Sequence, residues 1–280
     1  MSCNISSEGF NNPLLKELLQ KLTQYFESID SEFYVIGATA RDIILSSIHN
    51  HQSARSTGDL DIAIAIPDWK KFEQISDGLV ALGFYKSTRE KQAFWYKKYF
   101  KLDIVPFGEV AKADDNIYWP PEEEFAMSIV GFTEVAKHTI EVTIDEEFII
   151  KVASLPGVFI LKLAAFNDKK ATTNKHSDDL AFIINNYLEI NQDRAISEHY
   201  DLYEAENFDI FISGATLVGR DVKRIIADNT KTLETFVEIL HNEIDLEDES
   251  MLINQMLETH KYLKYEETIE ALKCILQELK

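Results

Sequence analysis

Three aspartates in apolar, strand-like text carry the first chemical signal. Asp59 and Asp61 lie in Gly58-Asp59-Leu60-Asp61-Ile62-Ala63-Ile64-Ala65-Ile66, and Asp103 lies in Lys101-Leu102-Asp103-Ile104-Val105-Pro106-Phe107. Side chains at i and i+2 of a strand share a face. Asp59 and Asp61 therefore point together, while Leu60, Ile62, Ile64 and Ile66 turn to the core. Adjacent carboxylates repel, and such a pair is comfortable only with a cation or a shared proton. A third carboxylate on a neighbouring strand completes a hard, oxygen-rich set suited to Mg²⁺. Two such ions can clamp the attacking and leaving oxygens of a phosphoryl or nucleotidyl transfer. The bland alternative is a strand end with solvated acids, which an acid-rich chain also produces.

Upstream, Gly37-Ala38-Thr39-Ala40-Arg41-Asp42 leads from a short strand into a helix. A helix start presents unpaired N–H groups and partial positive charge, which suits phosphate. Gly37 lets backbone approach a ligand, Thr39 adds a hydroxyl, and Arg41 adds a phosphate-matching fork. The alternative is an ordinary strand-to-helix turn whose Arg41 pairs with Asp42. Lys86, Arg89, Lys91, Lys97, Lys98 and Lys101 interleave with Phe94, Trp95, Tyr96, Tyr99 and Phe100. Such a pattern can hold a nucleotide chain, or it is a hairpin with aromatics inward and lysines outward. Lys162 interrupts an apolar helix, either snorkelling or aimed into a cleft. His176 reads as a helix-start residue, since no second His stands at ligand spacing.

The elements that must position these residues follow from periodicity. Leu14–Ile29 reads as an amphipathic helix with Leu15, Leu18, Leu19, Leu22 and Phe26 on one face. Strands are expected at Glu32–Ile36 and Leu60–Ile66, with a polar loop from Ile48 to Gly58. Pro67 is expected as the first residue of a helix ending before Gly83. Phe84–Phe107 reads as a β-hairpin or meander, and Phe132–Val152 as further strands. From Leu155 the text is almost wholly helical: Leu155–Phe166, His176–Tyr187, Asp193–Glu206, Asp209–Ala227, Lys231–Ile244, Met251–Tyr262 and Glu266–Leu279. The expected fold class is α+β, with a mixed-sheet domain over 1–150 and a mostly helical domain over 151–280.

Composition narrows the partners. The 280 residues include 28 Lys and Arg against 48 Asp and Glu, a net charge of −20, and each half carries 14 basic and 24 acidic residues. A broad, sequence-blind nucleic-acid footprint wants a basic face and is disfavoured. Two cysteines, Cys3 and Cys274, make no disulfide framework. With no leader-like start and no membrane-length apolar run, the reading is a cytoplasmic protein without membrane attachment.

In their order, these motifs resemble the polymerase-beta-like nucleotidyltransferase superfamily, and within it the AbiEii-type abortive-infection toxins. Asp68-Trp69-Lys70-Lys71-Phe72, Ile117-Tyr118-Trp119-Pro120-Pro121, Met127-Ser128-Ile129-Val130-Gly131-Phe132, Lys162, Lys175–Leu180 and Leu217-Val218-Gly219-Arg220-Asp221 support the likeness, which runs from about residue 30 to 240. The resemblance implies a nucleotidyltransferase-fold domain in which Asp59, Asp61 and Asp103 bind two Mg²⁺ ions. It implies that Asp103 helps deprotonate an acceptor hydroxyl and that Gly37, Ala38, Thr39 and Arg41 hold the triphosphate. Lys162 and Asp179 match a second, catalytic Lys/Asp pair. The implied activity moves a nucleoside monophosphate from an NTP to a hydroxyl on RNA, protein or a small molecule, with an antitoxin as partner. The rival readings are a catalytically silent nucleotide-binding or protein-interaction module and an aminoglycoside-type nucleotidyltransferase. The chain departs from the pattern in three places. Ala38 replaces a second Gly or Ser, 22 positions separate Gly37 from Asp59, and His176 replaces an Asp.

Overall fold

The computed structural model describes residues 2–10, 12–48, 58–123, 126–204 and 208–280. Of the loop expected from Ile48 to Gly58, residues 49–57 lie outside the described residues, as does Glu206. The chain is α+β and divides into two compact units, Met1–Val158 and Phe159–Lys280.

The strands all fall in the first unit: β1 (Ser2–Ile5), β2 (Phe33–Ile36), β3 (Asp59–Ala65), β4 (Tyr85–Lys86), β5 (Ala93–Tyr96), β6 (Phe100–Phe107), β7 (Asn116–Tyr118), β8 (Ala126–Ser128), β9 (Thr139–Ile144) and β10 (Phe148–Ala153). Eight form a mixed sheet in the order β1-β9-β10-β2-β3-β6-β5-β4, and β7 pairs with β8. β3 lies between antiparallel β2 and parallel β6. The parallel pair requires a long connection, which runs through α3 (Trp69–Ala81) and the β4–β5 hairpin. Leu60, Ile62 and Ile64 on β3, with Leu102 and Ile104 on β6, are almost wholly buried.

Three further helices complete this unit. α1 (Leu14–Ser28) buries the five apolar residues expected of it, packs on β10, and is started by Asn12, whose side chain accepts the Leu14 N–H at 2.9 Å. α2 (Gly37–Asp42) continues into a wider-turn π-helical segment, Ile43–Ile48. α4 is Phe132–Ala136. Two details differ from the sequence expectation. α3 begins at Trp69 rather than Pro67, because the Asp68 carboxylate accepts the Lys71 N–H at 2.9 Å and so caps the helix. β1 was not anticipated: its four residues show no decisive period, and its place is set by parallel pairing with distant β9.

The second unit is helical. α5 (Leu155–Lys169) crosses into it, and α6 (Lys175–Ile190), α7 (Gln192–Glu198), α8 (Ile210–Ile226), α9 (Thr230–Asp245), α10 (Met251–Thr259) and α11 (Tyr265–Leu279) follow. The helix expected over Asp193–Glu206 is instead α7 followed by a 3₁₀ turn, Tyr200–Tyr203. α8 packs on α6 and α11. A methyl at Gly214 would strike the Ile184 carbonyl, and one at Gly219 would press on Ile275 and Glu278, so both glycines allow close helix approach.

One hydrogen bond ties the α2 turn to β3: the Thr39 hydroxyl donates to the Asp59 carbonyl at 2.9 Å. Replacing Thr39 with Val keeps shape and removes that donor. We expect a loss of about 1 kcal/mol in urea denaturation. An unchanged midpoint would mean that packing alone holds α2 in place.

Candidate functional site

In the first unit, the register of β3 and β6 sets Asp61 opposite Asp103 and Asp59 opposite Lys101. Both strands bury the alternate residues, so all four polar side chains share the other face. Each aspartate is partly accessible, and the Asp103 side chain is only 16% exposed. Asp103 Oδ2 lies 3.1 Å from Lys101 Nζ, which also donates to Glu90 Oε1 at 2.8 Å. Asp103 Oδ1 is buried and has no hydrogen-bond partner among the described residues. Burial pushes the Asp103 carboxyl above its ordinary range, Lys101 opposes that shift, and Glu90 and Asp59 add to it.

Gly37 closes the site from the β2 side, with φ +68°. A Cβ there would sit 3.1 Å from Asp61 Cγ and closer still to its carboxylate oxygen. Ala38 and Thr39 are buried beside it. Two side chains behave differently from the expectation. The Thr39 hydroxyl is engaged by the Asp59 carbonyl rather than turned to a ligand. Arg41 is 2% exposed, and its Nε and Nη2 donate to Asp42 Oδ1 at 2.9 and 2.6 Å. Burial costs a charge its hydration, so the guanidinium takes the neighbouring acid as partner. This is the ordinary-turn arrangement for Arg41.

Among the described residues, no three His, Cys, Asp or Glu side chains converge closely enough to hold a metal ion as they stand. The donor chemistry still fits a hard divalent cation. Mg²⁺ is usually held by one or two carboxylates with substrate phosphates rather than by an all-protein cage. Asp103 Oδ1 is a buried acceptor with no partner among the described residues.

The basic run at residues 86–101 follows its blander reading: Phe94, Tyr96 and Phe100 are buried, while Lys97 and Lys98 are exposed. Tyr99 is the exception, 83% exposed. Lys101 was missed as a site residue because it was counted with this run. Its i, i+2 spacing to Asp103 places it on the aspartate face, a signal present in the sequence. Glu90 had no such signal.

In the second unit, Lys162 on α5 pairs with Asp179 on α6; the Lys162 side chain is 12% exposed and Asp179 is fully buried. Lys162 thus neither snorkels nor stands alone. His176, one turn before Asp179, has a buried Nδ1 without a partner among the described residues. Burial first, then Lys162 and Lys169, push its pKa down to about 4. Ser177 donates to Gln255 Oε1 at 2.7 Å. In the Leu217–Asp221 stretch, Asp221 accepts from Tyr187 at 2.6 Å and pairs with Arg194, and Arg220 joins Glu278 to Asp201, an architectural set of contacts.

A family model described as nucleotidyl transferase AbiEii toxin, type IV toxin–antitoxin system, matches residues 21–271. No curated protein matches the chain. Among solved structures, the antibiotic-resistance factor ANT(2'')-Ia aligns with TM-score 0.36 and 12% identity, over 67% of this chain and 94% of its own. A tRNA-processing enzyme in an apo form aligns with TM-score 0.21 and 14% identity, over 91% of this chain and 76% of its own. A complex of a tRNA-processing enzyme gives TM-score 0.21 and 15% identity, over 91% and 73%.

Two outcomes follow from this geometry. Gly37→Ala combines a left-handed backbone with a collision at Asp61, so we expect a loss of about 1–3 kcal/mol, read by thermal melting. Asp61→Ala placed on the same background should recover part of it, because the colliding carboxylate is gone. For His176 the folded pKa lies below the unfolded one. The native state therefore resists protonation, and stability falls as pH drops from about 6.5 to about 4. His176→Gln should lessen that fall by roughly 2–3 kcal/mol, measured as urea midpoints at pH 7.5 and 4.5.

Proposed function

The chain belongs to the AbiEii nucleotidyl transferase toxin family, and from that membership we propose that it is a Mg²⁺-dependent nucleotidyltransferase acting on an RNA or protein hydroxyl. The observation that carries this reading is Asp61 set opposite Asp103 across the β3–β6 register, with Asp103 Oδ1 buried and without a partner among the described residues.

Asp59, Asp61 and Asp103 would hold two Mg²⁺ ions, which when bound neutralise charge on the triphosphate and on both reacting oxygens. The acceptor hydroxyl oxygen forms a bond to the α-phosphorus of an NTP. The bond from the α-phosphorus to the α–β bridging oxygen breaks, and pyrophosphate leaves with that electron pair. Asp103 would take the hydroxyl proton. Gly37 and Ala38 admit the triphosphate close to the backbone at the α2 turn, with Thr39 and Arg41 bracing that turn from within. Lys162 and Asp179, the second Lys/Asp pair of the resemblance, are paired with one another within the second unit. The −20 charge repels bulk polyanions, so the acceptor is taken at a local site rather than through a broad surface. We place the protein in the cytoplasm with an antitoxin as its partner. Among the described residues, no helix is long and apolar enough to cross a membrane.

Incubation with each labelled NTP, Mg²⁺ and total RNA or protein tests the proposal. Label should transfer with the wild type and fall at least 10²-fold, a loss on the order of 3 kcal/mol of transition-state stabilisation, with Asp61→Ala. If no acceptor is labelled, and nucleotide affinity is unmoved by Asp59→Ala with Asp61→Ala, the chain is a silent binding module.

A further inference from the structure

We propose that Lys101 is a positioning residue that holds one oxygen of Asp103, so that the carboxylate offers only its other oxygen to a divalent cation. This inference rests on the metal-site reading above.

Lys101 and Asp103 are two residues apart on β6 and share a face, with Lys101 opposite Asp59 and Asp103 opposite Asp61. The ammonium therefore stands among the acids rather than in open water, and its side chain is 21% exposed. It is held at two points, 2.8 Å from Glu90 Oε1 and 3.1 Å from Asp103 Oδ2. Glu90 lies in the loop before β5 and is exposed.

The consequence for Asp103 is an asymmetry. Oδ2 is engaged by a cation already present in the chain, while Oδ1 is buried with no partner among the described residues. A carboxylate with both oxygens free can chelate one ion or bridge two. With Oδ2 fixed, Asp103 is restricted to a single-oxygen ligand for one ion. The ammonium also repels an incoming divalent cation. The empty protein then binds the metal weakly, and the triphosphate's own negative charge is needed to load the site. Lys101 thereby couples metal entry to nucleotide entry.

Mn²⁺ titration of the nucleotide-free protein, followed by electron paramagnetic resonance, tests this with a readout other than activity. Lys101→Met should bind Mn²⁺ about tenfold more tightly than the wild type, because a nearby positive charge is removed. Lys101→Arg should stay near the wild type, since it keeps the charge. Glu90→Gln should fall between, because the ammonium remains but loses its anchor. Asp61→Ala should abolish binding in every background. In transfer assays, the KM for NTP should depend less on metal concentration in Lys101→Met than in the wild type.

If the wild type binds Mn²⁺ in an Asp61-dependent way and Lys101→Met binds it equally well, the proposal is overturned while the metal-site reading stands. If no protein shows Asp61-dependent Mn²⁺ binding, that reading fails and this inference falls with it. Should Lys101→Met not fold, Glu90→Gln decides: tighter Mn²⁺ binding supports the role and unchanged binding removes it.

Discussion

Asp61 stands beside Asp103 because β3 and β6 pair in parallel with Leu60 against Leu102 and Ile62 against Ile104. The hydrophobic residues set this register. A slip by one position would turn four or more buried aliphatic side chains to the wrong face and bring the acids into the core. The driving force for burying aliphatic surface, about 25 cal/mol per Å², therefore also holds two mutually repelling carboxylates side by side. The sheet order, with β3 flanked by β2 on one edge and β6 on the other, brings the Gly37 turn, Asp59, Asp61, Asp103 and Lys101 to one region.

That region is held under electrostatic tension. Asp103 keeps one oxygen buried and unmet among the described residues, and burial raises its pKa even with Lys101 close by. A core optimised for stability alone would place an apolar residue there, since an unsatisfied buried acceptor costs about 1–3 kcal/mol. Gly37 adds to the cost with a left-handed backbone conformation that leaves room for the Asp61 carboxylate. Groups of this kind persist where function requires them, and here they gather on β3 and β6 and at the turn after β2.

The helical unit handles its buried charge differently. Lys162 pairs with Asp179, and Glu243 accepts from Lys170, the Ser250 hydroxyl and the Leu252 N–H. Arg194 and Tyr187 meet Asp221. The contacts of Asp221 with Tyr187 and Arg194 join α8 to α6 and α7, so they help specify which helices pack together. His176 is distinct: it is kept neutral by burial and by nearby lysines, with one ring nitrogen unmet among the described residues.

The local pattern determined much of this protein. Period-two alternation located the aspartates on strands and on one face, and helical spacing found α1 and most of the later helices to within a few residues. The α+β class followed from where strand text gives way to helix text. Short-range chemistry that competes with periodicity was harder to read: Asp68 as a cap displaced the expected helix start from Pro67, and the helix expected from Asp193 ended early at Glu198. Only the tertiary structure decided that β1 pairs with β9, that Arg41 turns inward to Asp42, that Thr39 is engaged by the Asp59 carbonyl, and that Lys101 reaches both Glu90 and Asp103. The reason is physical. Periodicity records which face of an element is apolar, whereas the partner of a polar side chain depends on strand order, register and burial, which are settled when distant segments meet.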